Sequence, residues 1–78
     1  MNEWDRLHKM SKLYKEMYPK GTRVEVISME NDPRPIMPGT MGTVVVVDDM
    51  CTIHCEFDNG RRLGLIPGED QFKIIKEG

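Results

Sequence analysis

Hydrophobic and polar residues follow a helical period in the first part of this chain. The apolar positions fall within one half of a helical wheel, and charged residues cover most of the other half. These apolar positions are Trp4, Leu7, Met10, Leu13, Tyr14, Met17 and Tyr18. The pattern predicts an amphipathic helix over residues 2–17, capped by Asn2 and ended by the Tyr18-Pro19 pair.

The sequence leaves two main alternatives for the apolar half of this helix. It packs on the rest of the chain, or it docks on a partner or on another copy of the chain, with Trp4 and Tyr14 as candidate contact residues. A helix lying on a membrane surface is a third, less favoured use, because binding to anionic lipid relies on more basic charge.

After the helix the pattern alternates with a period of two, which predicts short strands separated by turns. The predicted strands span residues 22–28, 41–48, 52–57, 61–66 and 71–75. Val24 and Val26 share one face of the first strand, and Ile53, Cys55 and Phe57 share the inward face of the third. This spacing predicts a mainly β fold, a small five-stranded antiparallel SH3-like barrel over residues 19–78 preceded by an N-terminal amphipathic segment over residues 1–18.

The second predicted strand is apolar on both faces. Thr43, Val45 and Val47 lie on one face, and Val44 and Val46 lie on the other. A strand with two apolar faces is expected to be covered on both sides, here by the barrel interior and by the helix. Val45→Asp and Val46→Asp are therefore both expected to unfold the domain, since each would bury an unpaired charge.

The hydrophobic pattern also selects the register of the hairpin at Asp58-Asn59-Gly60. A two-residue turn would set polar side chains opposite apolar ones on one face. A three-residue loop, with its glycine in the left-handed conformation, instead pairs Cys55 with Leu63 and Ile53 with Leu65. Because this register keeps the apolar face whole, we expect the three-residue loop.

Residues 29–39 contain three prolines, which exclude a helix and a central strand and predict a long surface loop. Loops of this length are often functional. Arg34 in this loop, and Arg61 and Arg62 beside the hairpin, are candidates for a basic binding patch. The other interpretation is that these arginines are solvated charges paired with nearby carboxylates.

Composition and charge disfavour several classes of protein. The net charge of −2 disfavours a nonspecific nucleic-acid binder, whose affinity comes from many phosphate contacts. No apolar run approaches the roughly 18 residues of a membrane span, so a cytoplasmic location is expected. Cys51 and Cys55 lie about 13 Å apart if they share a strand, too far for a disulfide.

Candidate chemistry is sparse. Cys51, His54 and Cys55 fall short of the four ligands of a structural zinc site, and no spacing of the acidic residues requires a catalytic pair. We therefore expect neither an enzyme nor a metal or cofactor site.

Four motifs carry a resemblance to a known family. They are Tyr18-Pro19-Lys20-Gly21-Thr22-Arg23-Val24-Glu25, Pro38-Gly39-Thr40-Met41-Gly42-Thr43-Val44, Phe57-Asp58-Asn59-Gly60 and Leu63-Gly64-Leu65-Ile66-Pro67-Gly68-Glu69-Asp70-Gln71-Phe72. Together they resemble an uncharacterised family of short bacterial proteins, a domain of unknown function often found in phage and mobile-element regions. The resemblance covers roughly residues 18–75, leaves most of the helix outside, and implies an SH3-like barrel but no function. A looser similarity exists to KOW-type barrels associated with nucleic acids and ribosomes.

The sequence favours a small non-enzymatic module that binds a protein partner. Its long loop and its amphipathic helix support this hypothesis, since loops on a rigid scaffold often carry recognition. The alternative is a nucleic-acid-binding accessory domain of a phage or mobile element, supported by the arginines and by the KOW-like loop. Self-association through the helix is also open.

Overall fold

The computed structural model describes residues 3–30 and 32–76, which form one helix and five strands. In chain order these are α1 (Glu3–Met17), β1 (Arg23–Ser28), β2 (Met41–Val47), β3 (Ile53–Phe57), β4 (Arg62–Leu65) and β5 (Gln71–Ile74). The strands form one antiparallel sheet in the order β4-β3-β2-β1-β5. The predicted mainly β fold with an N-terminal helix is confirmed, and the predicted Asn2 cap lies outside the described residues. The strand pairings within the described ranges join only neighbours in this order, so closure into a barrel stays a prediction.

One side of the sheet carries the hydrophobic core. Side chains alternate between the two sides along β1 and β3, which buries Val24 and Val26 on β1 and three residues of β3. The other strands and one loop complete the core with Met29, Ile36, Val44, Val47 and Leu65. The alternation predicted for the first and third strands is confirmed.

The β3–β4 hairpin has the predicted three-residue loop. Ile53 pairs with Leu65, and two residues further along Cys55 pairs with Leu63. Gly60 closes the loop with a φ of 89°, a left-handed conformation that glycine adopts at no steric cost. The predicted register is confirmed, and it keeps the apolar side chains of both strands on the core side.

A β-bulge in β2 changes the faces predicted for its valines. Val44 and Val46 pair with adjacent residues of β3, so Val45 is an extra residue on the bulged strand. The extra residue breaks the alternation, and both Val44 and Val47 enter the core while Val45 and Val46 are exposed. Helix α1 contacts β2 but leaves both of these valines exposed. The prediction that both faces of this strand are covered, the outer one by the helix, is therefore wrong at Val45 and Val46.

The proline-containing loop is anchored in the core. Ile36 is only 1% exposed, and its backbone amide donates to the Sδ atom of buried Met29 at 3.4 Å. Pro33 and Pro35 remain exposed. The prediction of a surface loop is wrong at Met29 and Ile36, because burying two large apolar side chains is more favourable than leaving them in water.

Helix α1 packs on the domain with only part of its apolar half. Leu7, Tyr14 and Tyr18 are half-buried, and Ser11 is buried. The rings of Tyr14 and Tyr18 stack with centroids 6.1 Å apart, and Tyr18 meets Phe72 of β5 edge to face at 5.8 Å. The large apolar residues of α1 that stay exposed are Trp4, Met10, Leu13 and Met17.

Candidate functional site

Two exposed valines mark the outer side of the sheet, which faces away from the core. The bulge leaves Val45 39% exposed and Val46 53% exposed. Bulges often re-aim side chains beside functional sites. His54 and Glu56 of β3 and Arg62 of β4 are exposed next to these valines. We call the five residues Val45, Val46, His54, Glu56 and Arg62 the valine face.

Shallow grooves flank Val45 on both sides. The first has a volume of about 370 Å³ and crosses the outer side of β2, β3 and β4. Its lining includes the exposed residues His54, Glu56 and Arg62 and the half-buried Gly64. The second has a volume of about 290 Å³ and lies between β2 and the segment that follows α1. Its lining includes Lys15, Tyr18, Pro19, Lys20 and Val46.

Asp48 organises the turn between β2 and β3 beside this face. Its Oδ1 accepts hydrogen bonds from the amides of Met50 at 2.9 Å and Thr52 at 3.0 Å. Its Oδ2 lies 2.8 Å from His54 Nε2. Partial burial raises the pKa of Asp48, but these hydrogen bonds lower it more, so the pKa lies below its ordinary value. The carboxylate thereby orients the His54 ring at the margin of the first groove.

An ion pair and a glycine complete the first groove. Arg62 and Glu56 pair across the hairpin, and Arg62 Nη2 lies 2.9 Å from Glu56 Oε1. Such exposed pairs contribute little to stability. Gly64 opposes His54 on the neighbouring strand, and a Cβ there would overlap the methyl group of Thr52. The absence of a side chain at Gly64 therefore permits the close approach of Thr52 beside this groove.

The structure separates the three arginines predicted as a basic patch. Arg61 Nη1 donates to the Pro35 carbonyl at 3.4 Å, so the hairpin and the long loop lie side by side. Arg34 precedes Pro35 and is exposed. Arg62 points to the other side of the hairpin, as expected of successive strand residues, and pairs with Glu56. Arg34 and Arg61 therefore lie near each other, and Arg62 belongs to the valine face.

The two predicted contact residues of the helix have different environments. Trp4 is exposed and lines a small groove of about 120 Å³ with Leu7, His8 and Asp49. Tyr14 is half-buried and packs against the core. Trp4 is therefore free to contact a partner, and the surface of Tyr14 is partly used within the domain.

The two cysteine thiols are shielded from solvent. Both are buried, and burial raises the pKa of Cys55 to about 11. Burial also raises the pKa of Cys51. Within residues 3–30 and 32–76, no three His, Cys, Asp or Glu side chains are grouped to hold a metal ion. The only described helix is too short and too polar to cross a membrane.

The architecture defines a small mainly β domain whose N-terminal helix packs partly on the core of one antiparallel sheet. By sequence the chain belongs to the family described as Domain of unknown function (DUF4314), which it matches over residues 7–75. The match begins inside α1, so the prediction that the helix lies largely outside the family's region is wrong. No curated protein and no solved structure shows significant similarity to the chain.

Proposed function

We propose that this protein is a small non-enzymatic module that binds a protein partner through the valine face. The observation that carries the proposal is the exposure of Val45 and Val46 between two grooves on one side of the sheet. The open face of an antiparallel sheet is normally polar. A partner that covers both valines would remove their apolar surface from water.

The surroundings of the valines support a protein partner. Interfaces between proteins combine an apolar centre with a polar rim. His54, Glu56 and Arg62 lie on one side of the two valines, and Lys15 and Lys20 lie on the other. This rim offers both donors and acceptors, which suits a peptide backbone and mixed side chains. A phosphate backbone would instead favour a concentration of positive charge.

Affinity capture from native host cells with the tagged full-length chain tests this proposal through matched variants. Val46→Lys places a charge on the valine face, and Met37→Lys places the same charge on an exposed apolar residue of the loop. Each captured protein is purified, and isothermal titration calorimetry measures its dissociation constant for wild type and both variants. We expect Val46→Lys to weaken binding about tenfold or more, and Met37→Lys to leave it unchanged.

Circular dichroism and urea unfolding check that both variants keep the fold, which we expect because both residues are exposed. Equal dissociation constants for wild type and Val46→Lys would overturn the assignment of the valine face. Weaker binding by Met37→Lys alone would place the binding surface on the loop instead.

A nucleic-acid-binding accessory domain, such as one of a phage or mobile element, is the second candidate. One observation favours it, which is the placement of Arg34 beside Arg61 where the loop meets the hairpin. Arg23 and Arg62 are already paired with carboxylates, which leaves fewer charges for phosphate.

Titration of short DNA and RNA oligonucleotides at low and physiological salt tests this second candidate. Binding that falls steeply with salt, and that Arg34→Glu with Arg61→Glu abolishes, would favour it over the protein partner. Absence of binding at low salt would exclude it.

A further inference from the structure

A second exposed apolar surface lies on α1, separate from the valine face. Met10, Leu13 and Met17 are 42%, 54% and 46% exposed. They lie three and four residues apart, and Arg6 continues the same spacing toward the N-terminus. Alternating steps of three and four average about 3.5 residues, the period at which a helix packs lengthwise against another helix. We call Arg6, Met10, Leu13 and Met17 the helix stripe.

The helix stripe points away from the side of α1 that packs on the domain. Successive residues of an α-helix are separated by about 100° around its axis. The stripe is therefore centred roughly 100° from the line of residues that packs on the domain. That line comprises Leu7, Ser11, Tyr14 and Tyr18. One side of the helix contacts its own domain, and the stripe remains open to another molecule.

Two opposite charges border the helix stripe. Lys9 and Glu16 are exposed and make no ion pair within the part of the chain that the structure describes. They are seven residues apart, so they occupy equivalent positions beside the stripe. If a second copy runs antiparallel, Lys9 of each copy faces Glu16 of the other. A parallel second copy would instead set Lys9 opposite the uncharged Tyr14.

We propose that the helix stripe is the contact surface of a symmetric, antiparallel pair of α1 helices from two copies of this chain. Met10 of each copy packs against Leu13 of the other, and the aliphatic stem of Arg6 covers Met17 of the other. Twofold symmetry makes every contact twice.

The size of the contact sets its strength. Helix α1 has 15 residues, so the two stripes bury far less than the roughly 1,600 Å² of a standard stable interface. The association is therefore reversible and depends on protein concentration. It does not depend on the function proposed for the valine face.

Sedimentation equilibrium of the full-length chain over a concentration series tests this pairing by charge exchange. Lys9→Glu sets two glutamates against each other, and Glu16→Lys sets two lysines against each other. We expect each single variant to raise the dimer dissociation constant about tenfold. The double variant Lys9→Glu/Glu16→Lys keeps the wild-type net charge and restores both pairs, so its dissociation constant returns to the wild-type value.

Three outcomes would overturn the pairing. The first is a wild-type chain that stays monomeric across the concentration series, and the second is a double variant that associates no better than the single variants. The third is a chain that stays monomeric and binds a different protein through the helix stripe. Leu13→Ser provides a separate test, because Leu13 is exposed and we expect its substitution to leave the fold intact. If the pairing is correct, Leu13→Ser weakens the dimer. Val46→Lys should leave the dimer intact, so failure of this pairing and failure of the proposed partner binding are distinguishable.

Discussion

Gly42 shows how closely single residues are fitted in this small domain. It opposes Phe57 across β2 and β3, and a Cβ at this position would lie 2.7 Å from the Phe57 Cδ1 atom. Gly42→Ala is therefore expected to lower the free energy of unfolding by about 1–3 kcal/mol, as measured by urea denaturation. The penalty should shrink in a Phe57→Leu background, because the clashing ring is gone. An equal penalty in both backgrounds would contradict this explanation.

Asp48 is the residue whose charge stabilises the β2–β3 turn. Asp48→Asn weakens its links to His54 and to two backbone amides, and we expect the free energy of unfolding at neutral pH to fall by about 1 kcal/mol. Asp49→Asn is the matched control, because Asp49 is more exposed and its ion pair is with the exposed Lys15. Chemical denaturation of both variants should show the smaller loss for Asp49→Asn.

The lowered pKa of Asp48 makes this contribution dependent on pH. In the unfolded chain Asp48 titrates near its ordinary value of 3.8, and in the folded protein its pKa is lower. Its stabilisation is therefore complete above the unfolded value and is lost as pH falls through the folded value. The difference in unfolding free energy between wild type and Asp48→Asn should shrink from neutral to strongly acidic pH. A difference that stays constant would show that the charge is not involved.

At the scale of elements, the bulge divides the valines of β2 into two pairs with opposite roles. Val44→Asp places a charge in the core and is expected to unfold the domain. Val46→Asp places the same charge on the open face and is expected to cost about 1 kcal/mol or less. Thermal unfolding followed by circular dichroism compares the two variants directly. Loss of the fold in Val46→Asp would mean that the outer face is covered in solution.

At the scale of the whole molecule, the reactivities of the two thiols distinguish local detachment of the helix from unfolding of the sheet. Cys55 lies in the sheet core. Cys51 lies under α1, with its Sγ atom 3.9 Å from the Leu7 carbonyl. Detachment of α1 would therefore expose Cys51 while the sheet stays paired, an opening that costs less than global unfolding.

Thiol labelling tests this difference in variants that keep one cysteine each. The variant Cys55→Ala retains Cys51, and the variant Cys51→Ala retains Cys55. We expect Cys51 in the first variant to react faster under native conditions than Cys55 in the second. The rates are measured by mass spectrometry across low denaturant concentrations. Identical rates at every concentration would show that the helix and the sheet open as one unit.

The local pattern predicted more of the fold than of the candidate site. The sequence predicts Arg62 as a binding residue, and Arg62 lies on the valine face. The sequence does not predict Val45 and Val46 as binding residues, because a run of valines in a strand is typical of the core. The exposure of these two valines depends on the number of residues between paired positions of β2 and β3. Only the pairing of the two strands shows that β2 has one extra residue there. The same limit applies to Ile36, whose burial depends on where its loop returns to the core.

The sequence by itself determined the helix, the five strands, and the register of the β3–β4 hairpin, because each depends on periodicity and turn chemistry within a short segment. Only the tertiary structure decided which of the remaining apolar residues are buried and which are exposed. It buried one side of α1 and left the helix stripe exposed, and it turned Val45 and Val46 outward. The physical reason is that burial depends on distant segments meeting, and a bulge or a returning loop exchanges core for surface without changing the local pattern.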